Sequence, residues 1–159
     1  MGYPYNREDA TMTTIRDFMT ADHRHCDDLF ADAEEALASR DAAAAEAAFV
    51  RFRQALLAHF DSEEKTLFPS FEAKTGISMG PTQVMRMEHA QMRTLVDAAL
   101  TALQEGAVDD YQGQAETLLI MIQQHNMKEE NVLYPMCDDH LAAELAPLLA
   151  HLEQELDVA

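Results

Sequence analysis

Apolar residues recur along this chain at spacings of three, four and seven, which is the period of a helix face rather than of a strand. The first stripe is Ile15, Met19, Cys26, Phe30, Ala33 and Leu37. Thr13 or Thr14 stands where a cap belongs, with Asp17 supplying acid to the first turn. Ser39-Arg40-Asp41 reads as a break. A second stripe follows on Phe49, Phe52, Leu56, His59, Glu63 and Leu67, and Pro69, which lacks a backbone donor, is expected to kink or end that helix. Gly76 to Pro81 is the clearest loop, with Gly76 as C-cap. A third helix starts near Pro81-Thr82 on Met85, His89, Met92, Val96, Ala99 and Leu103. After a turn around Gly106, a fourth runs on Leu118, Ile122, His125, Glu129, Val132 and Met136. Asp138-Asp139 then reads as the cap of a short fifth segment, interrupted by Pro147 and packing through Leu141, Leu145, Leu148, Leu149 and Leu152.

No alternating pattern competes, so the fold class is all-α. The expected architecture is an antiparallel up-down-up-down four-helix bundle with a short C-terminal fifth helical segment. The chain divides into an N-terminal arm at 1–11, the bundle at 12–137, and a segment at 138–159 packed on it. A length of 159 residues suits one such domain.

Charge and cysteine usage narrow the surroundings. The net charge of −18 repels phosphate backbones and anionic lipid, so neither nucleic acid nor a membrane is an expected partner. No apolar run reaches the roughly 18 residues of a spanning helix, and nothing resembles a signal peptide. Cys26 and Cys137 lie in no C-x-x-C motif and are expected about 20 Å apart along the bundle, beyond disulfide reach. A cytoplasmic protein with reduced thiols, monomeric or homodimeric, fits these features.

Two of the stripes carry chemistry. His59-Phe60-Asp61-Ser62-Glu63-Glu64-Lys65-Thr66-Leu67-Phe68-Pro69 recurs 66 residues later as His125-Asn126-Met127-Lys128-Glu129-Glu130-Asn131-Val132-Leu133-Tyr134-Pro135. His23 and His89 keep the same offset of 66. The chain is therefore a duplication, each half bringing one lone His and one His-x-x-x-Glu. His and Glu at i and i+4 share a helix face. From His23 to the Ser39 turn is 16 residues, and from Asp41 back to His59 is 18. At 1.5 Å per residue these are roughly 24 and 27 Å, so the two histidines return to one height. The second half repeats this from His89 to His125.

Taken singly, each histidine reads as a hydrogen-bonded core residue. Two glutamates on apolar stripes are harder to explain, because burying an unpaired carboxylate is costly. A pair of cations offsets that charge. His23, His59, Glu63, His89, His125 and Glu129 are therefore candidate metal ligands. Imidazole and carboxylate without thiolate suit iron, with manganese or zinc as alternatives. Two carboxylates can bridge two ions about 3.5–4 Å apart, whereas a single zinc needs fewer than six ligands.

At these residues the chain resembles the hemerythrin-like, or HHE cation-binding, family, over roughly 12–137. The resemblance implies a four-helix bundle around two iron ions, an oxo- or hydroxo-bridged non-haem di-iron centre. It makes His23, His59, His89 and His125 terminal ligands and Glu63 and Glu129 bridging ones. Oxygen-carrying hemerythrins have a fifth His one turn away on the third helix, where this chain has Met85 and Arg93. The last acidic ligand is also Glu at i+4 rather than Asp at i+5. Each iron would then be five-coordinate with an open position. The same set occurs in proteins that resemble repair-of-iron-centres factors, linked to nitric oxide stress; their Cys-containing N-terminal segment has no match in residues 1–11.

The implied function is binding or reducing a small diatomic ligand or peroxide, namely O2, NO or H2O2, in oxygen sensing or in oxidative or nitrosative stress. Iron storage or delivery without turnover is the rival reading, and a haem bundle with Met and His axial ligands ranks last. No general acid or base beyond the ligands is evident, so turnover is left open. Among the neighbours, Glu64 and Glu130 point about 100° from the ligands. They read as solvated, with a bond to a ligand imidazole as the alternative. Met85, Met92, Met121 and Met136 read as core filler. Tyr134 lies about 7–8 Å beyond Glu129 along an ideal helix, too far to meet a metal. His25 is rotated roughly 200° from the apolar face, a poor phase for a fifth ligand. His140 and His151 fall outside the bundle.

Overall fold

A computed structural model of the chain describes residues 14–157. The N-terminal arm at 1–11 and the cap alternative Thr13 lie outside the described residues. Five helices account for most of the rest: α1 (Ile15–Ala38), α2 (42–75), α3 (Pro81–Gln104), α4 (108–140) and α5 (Leu145–Asp157). A 3₁₀ turn at Ala142–Glu144 precedes α5, and no strand occurs among the described residues.

Each boundary has a local cause. Thr14 caps α1, its hydroxyl accepting from the Asp17 N–H at 3.0 Å. The break after α1 turns on Arg40, whose φ of 59° ends the helix, and on Asp41, whose carboxylate accepts from the Ala44 N–H at 3.0 Å and starts α2. Gly76, at φ 74°, closes α2 and donates to the Glu72 carbonyl at 2.8 Å. Asp138 departs from expectation. Its carboxylate accepts from the N–H groups of Ile15 at 2.7 Å and Arg16 at 3.2 Å, so it caps α1 from across the bundle rather than starting a fifth segment. Pro147 does not interrupt α5; it sits in the first turn, where its missing donor is not needed.

Both long helices with a motif contain a π turn, at Glu63–Leu67 and at Glu129–Leu133. The Phe68 N–H reaches the Glu63 carbonyl, and the Tyr134 N–H reaches that of Glu129, five residues back. A proline follows each turn. In an unbroken α-helix its ring would meet the carbonyl four residues earlier. The extra residue in the turn re-aims that carbonyl, and the helix continues past Pro69 to Thr75 instead of ending. The same slip shifts the buried face of α4 by one position. Val132 is 53% exposed, while Leu133, Tyr134 and Cys137 are buried.

Two apolar clusters lie at either end of the bundle. One holds Phe30, Phe49, Phe52, Leu56, Phe60, Met92, Val96, Leu118 and Ile122. The other holds Ile15, Met19, Leu67, Phe68, Phe71, Met85, Leu133, Tyr134 and Cys137, closed by Leu148, Leu152 and Leu156 of α5. Cys26 and Cys137 fall in different clusters, and both thiols are free. Leu152 has no exposed surface. Leu152→Ala is expected to cost about 2–5 kcal/mol, from lost burial and the cavity left behind. Urea unfolding checks this; a change within the error of the midpoint would show that α5 adds nothing to the core.

Candidate metal centre

Between the two apolar clusters lies a polar layer. His23 from α1, His59 and Glu63 from α2, His89 from α3, and His125 and Glu129 from α4 are all brought together there, each 0–4% exposed. Ligand atoms of Glu63, His89, His125 and Glu129 lie within 4.8 Å of one another, as do those of His23, His59 and Glu129. The layer thus has two halves, each with two imidazoles, and Glu129 belongs to both. Glu63 Oε1 lies 3.2 Å from His89 Nε2 and 3.4 Å from His59 Nε2, so it also spans the halves. Glu129 Oε1 lies 3.1 Å from His23 Nε2 and 3.2 Å from His125 Nε2.

Every imidazole is oriented by a carboxylate at its outer nitrogen. Asp22 accepts from His59 Nδ1 at 2.7 Å, and Glu88 from His125 Nδ1 at 2.9 Å. Glu130 accepts from His23 Nδ1 at 2.8 Å, and Glu64 from His89 Nδ1 at 3.2 Å. The scheme follows the duplication. The acid before each lone His serves the motif His of its own half, and the acid after each ligand Glu serves the lone His that lies against it. A proton held on Nδ1 leaves the Nε2 lone pair facing inward, as a ligand requires. Glu64 and Glu130 therefore take the imidazole-bonded alternative rather than the solvated one. Sequence reasoning gave Asp22 and Glu88 no role, although they share the offset of 66.

Arg93 stands one turn after His89, one of the two positions, with Met85, that lie one turn from it. Its guanidinium holds Glu64, and it also reaches Asp61 at 3.3 Å and lies over the Phe60 ring at 5.5 Å. Burial works against ionisation of Glu64, but His89 and Arg93 outweigh it and bring its carboxyl down to about 2.

Tyr134 overturns the axial argument from an ideal helix. The π turn swings it onto the ligand face, fully buried, with its hydroxyl in the layer. Its oxygen lies 2.8 Å from Glu63 Oε2 and 3.0 Å from Glu129 Oε1, and its single proton is donated to one of them. It also lies 3.1 Å from His23 Nε2 and 3.3 Å from His59 Nε2. Burial first, then Glu129 and Glu63, push its phenol well above the ordinary range, so it keeps its proton while no cation is bound. His25 is exposed and is in neither group of converging atoms. His140 and His151 are exposed, the first against Phe71 and the second paired with Glu155 at 3.1 Å.

The electrostatics fit a cation. Burial opposes charge on Glu63, yet His59 above all holds its carboxyl well below the usual range. Burial likewise opposes charge on His59, which Glu63 and Asp22 raise well above its ordinary value. His23 and His125 are raised as well: at His23 burial and then His59 oppose the shift, and Glu129 and Glu130 outweigh them. Glu63 Oε1 and Glu129 Oε2 nonetheless have no hydrogen-bond donor, although both are buried. A buried acceptor left so costs about 1–3 kcal/mol, which a bound cation removes. The donor set, nitrogen and oxygen with no sulfur, suits iron, manganese or zinc.

Removing one orienting acid tests the scheme. Asp22→Ala and Glu88→Ala are each expected to weaken metal affinity about 10–100-fold, read by competition with a chelator. Unchanged affinity in both would mean that the carboxylates do not tune the imidazoles.

The sequence matches the family model of the hemerythrin HHE cation-binding domain over residues 14–137. No curated protein and no solved structure matches the chain.

Proposed function

The chain belongs to the hemerythrin HHE cation-binding domain family, and from that premise we propose that it holds a pair of iron ions that bind or reduce a small molecule: O2, NO or H2O2. The observation that carries this reading is the buried layer in which four imidazoles turn their Nε2 atoms inward, each fixed by a carboxylate at Nδ1. His23 and His59 would hold one ion, His89 and His125 the other, with Glu63 and Glu129 shared between them. A metal pair in such a site supplies a place for a small ligand and the electrons to reduce it.

The protein's own contribution is to position and to exclude. Four acids lock the imidazoles, and the apolar clusters above and below seal the layer from water. Phe60 stacks on His89 at 4.1 Å between ring centroids, and Phe68 lies against it at 5.7 Å. Such close walls suit a ligand of a few atoms. Short connections between α1 and α2 and between α3 and α4 support an antiparallel up-down-up-down arrangement of the four long helices. Two free, buried thiols and the charge of −18 support a cytoplasmic role apart from nucleic acid and membranes. No helix among the described residues is long and apolar enough to cross a membrane.

Stopped-flow absorbance tests the reading. Anaerobically reduced, iron-loaded protein is mixed separately with O2, NO and H2O2. A fast spectral change with at least one of them is expected. Iron-loaded protein that reacts with none would be a store or carrier instead.

A further inference from the structure

We propose that Tyr134 is a further metal-binding side chain, specific to the His23/His59 position, and that it leaves the His89/His125 position as the one that takes the small ligand. The proposal rests on the two-metal reading above. The duplication pairs each ligand, and each acid that orients one, with a counterpart of the same chemistry: His with His, Glu with Glu, Asp22 with Glu88, and Glu64 with Glu130. The pair Phe68 and Tyr134 breaks that rule. Both follow a ligand glutamate by five residues, and both are turned inward by a π turn. Phe68 lies stacked against His89 with its ring 5.7 Å away, and Tyr134 lies stacked against His23 at 5.6 Å. Only one of the two rings carries an oxygen.

That oxygen is crowded by donor atoms. Four buried nitrogens and oxygens, from His23, His59, Glu63 and Glu129, lie between 2.8 and 3.3 Å from it. A phenol donates one hydrogen bond and accepts two, so at most three of those contacts are satisfied as hydrogen bonds. A cation held by His23, His59 and Glu129 would have the same oxygen at the edge of its own shell. On ligation the phenol O–H bond breaks, an oxygen–iron(III) bond forms, and the proton leaves to water, with no change in oxidation state. At the His89/His125 position the Phe60 and Phe68 rings lie against His89, and neither carries an oxygen. It therefore keeps the vacancy that the duplication alone would have given to both.

The test uses full-length ferric protein. Wild type is expected to show a visible phenolate-to-iron charge-transfer band and resonance-enhanced tyrosinate ring modes. Tyr134→Phe is expected to lose both while keeping about two irons per chain. A second variant, Phe68→Tyr, places a phenol at the matching position and is expected to lose azide binding. Two bound irons without tyrosinate modes, or modes that persist in Tyr134→Phe, would overturn the proposal and leave the metal pair standing. Azide binding retained by Phe68→Tyr would overturn the assignment of the open position. Protein that binds no iron would remove both readings.

Discussion

Glu63→Ala protein, purified aerobically, is expected to hold less than one iron per chain where wild type holds about two. The reason is the place of this carboxylate in the layer. It has no exposed surface, and its Oε1 lies within 3.4 Å of an imidazole from each half. Removing it takes a ligand from both positions at once, and it also takes one of the two negative charges that balance the cations. Glu63→Gln keeps the volume and removes the charge. If charge balance decides retention, it should lose iron as Glu63→Ala does; if the cavity decides, it should keep most of its iron. Glu153, exposed on α5, is the control, and its alanine variant should match wild type. Full iron content in Glu63→Ala would remove this residue from the ligand set.

Removing the metal should cost the fold nearly as much as a large core deletion. A ligand present at a thousand times its dissociation constant stabilises the native state by about 4 kcal/mol. For a chain of this length that corresponds to a melting temperature roughly 8–16 °C lower after chelation. The metal-free protein should also change its response to pH. His59 ordinarily titrates near 6.5 and is raised well above that in the fold. Its pairing is therefore fully present below about 6.5 and is lost as pH rises through the raised folded value. Glu63, ordinarily near 4.5, is held well below that. The same pairing seen from its side is present above about 4.5 and is lost as pH falls through the depressed value. Metal-free protein should thus be most stable between mildly acidic and neutral pH and weaken toward alkaline pH. Metal-loaded protein should not weaken there, because its imidazoles have already lost their protons to the cation. Calorimetric melting of both forms across this range reads the difference. Identical melting of the two forms would mean that the layer holds its shape without a cation.

Most of the site was legible because ligands obey helical phase. His59 and Glu63, like His125 and Glu129, are four residues apart, each glutamate opening its π turn before the extra residue shifts the phase, and the offset of 66 tied the halves together. What escaped lies beyond the π turns. A count of 100° per residue fails once a turn holds an extra residue, so Val132 was assigned to the buried face that Leu133 occupies, and Tyr134 was placed too far from the metal. The signal was in the repeat itself. A ligand glutamate followed by Leu-Phe-Pro or Leu-Tyr-Pro puts a proline where an ordinary helix cannot hold it. Two such helices, each running on to a proper end, imply a widened turn. Asp22 and Glu88 were hidden for a different reason. An acid beside a histidine in sequence points elsewhere on its own helix, and only the neighbouring helix shows which imidazole it reaches. Asp138 likewise caps a helix 123 residues away in sequence, a pairing that no local pattern reveals.

The central claim is that six side chains from four helices hold two metal ions in one buried layer. Anomalous diffraction from crystals of the iron-loaded protein, recorded on either side of the iron edge, tests it directly. Two peaks about 3.5–4 Å apart are expected, one between His23 and His59 and one between His89 and His125, with Glu63 and Glu129 reaching both. A single peak, or iron bound anywhere outside this layer, would contradict it.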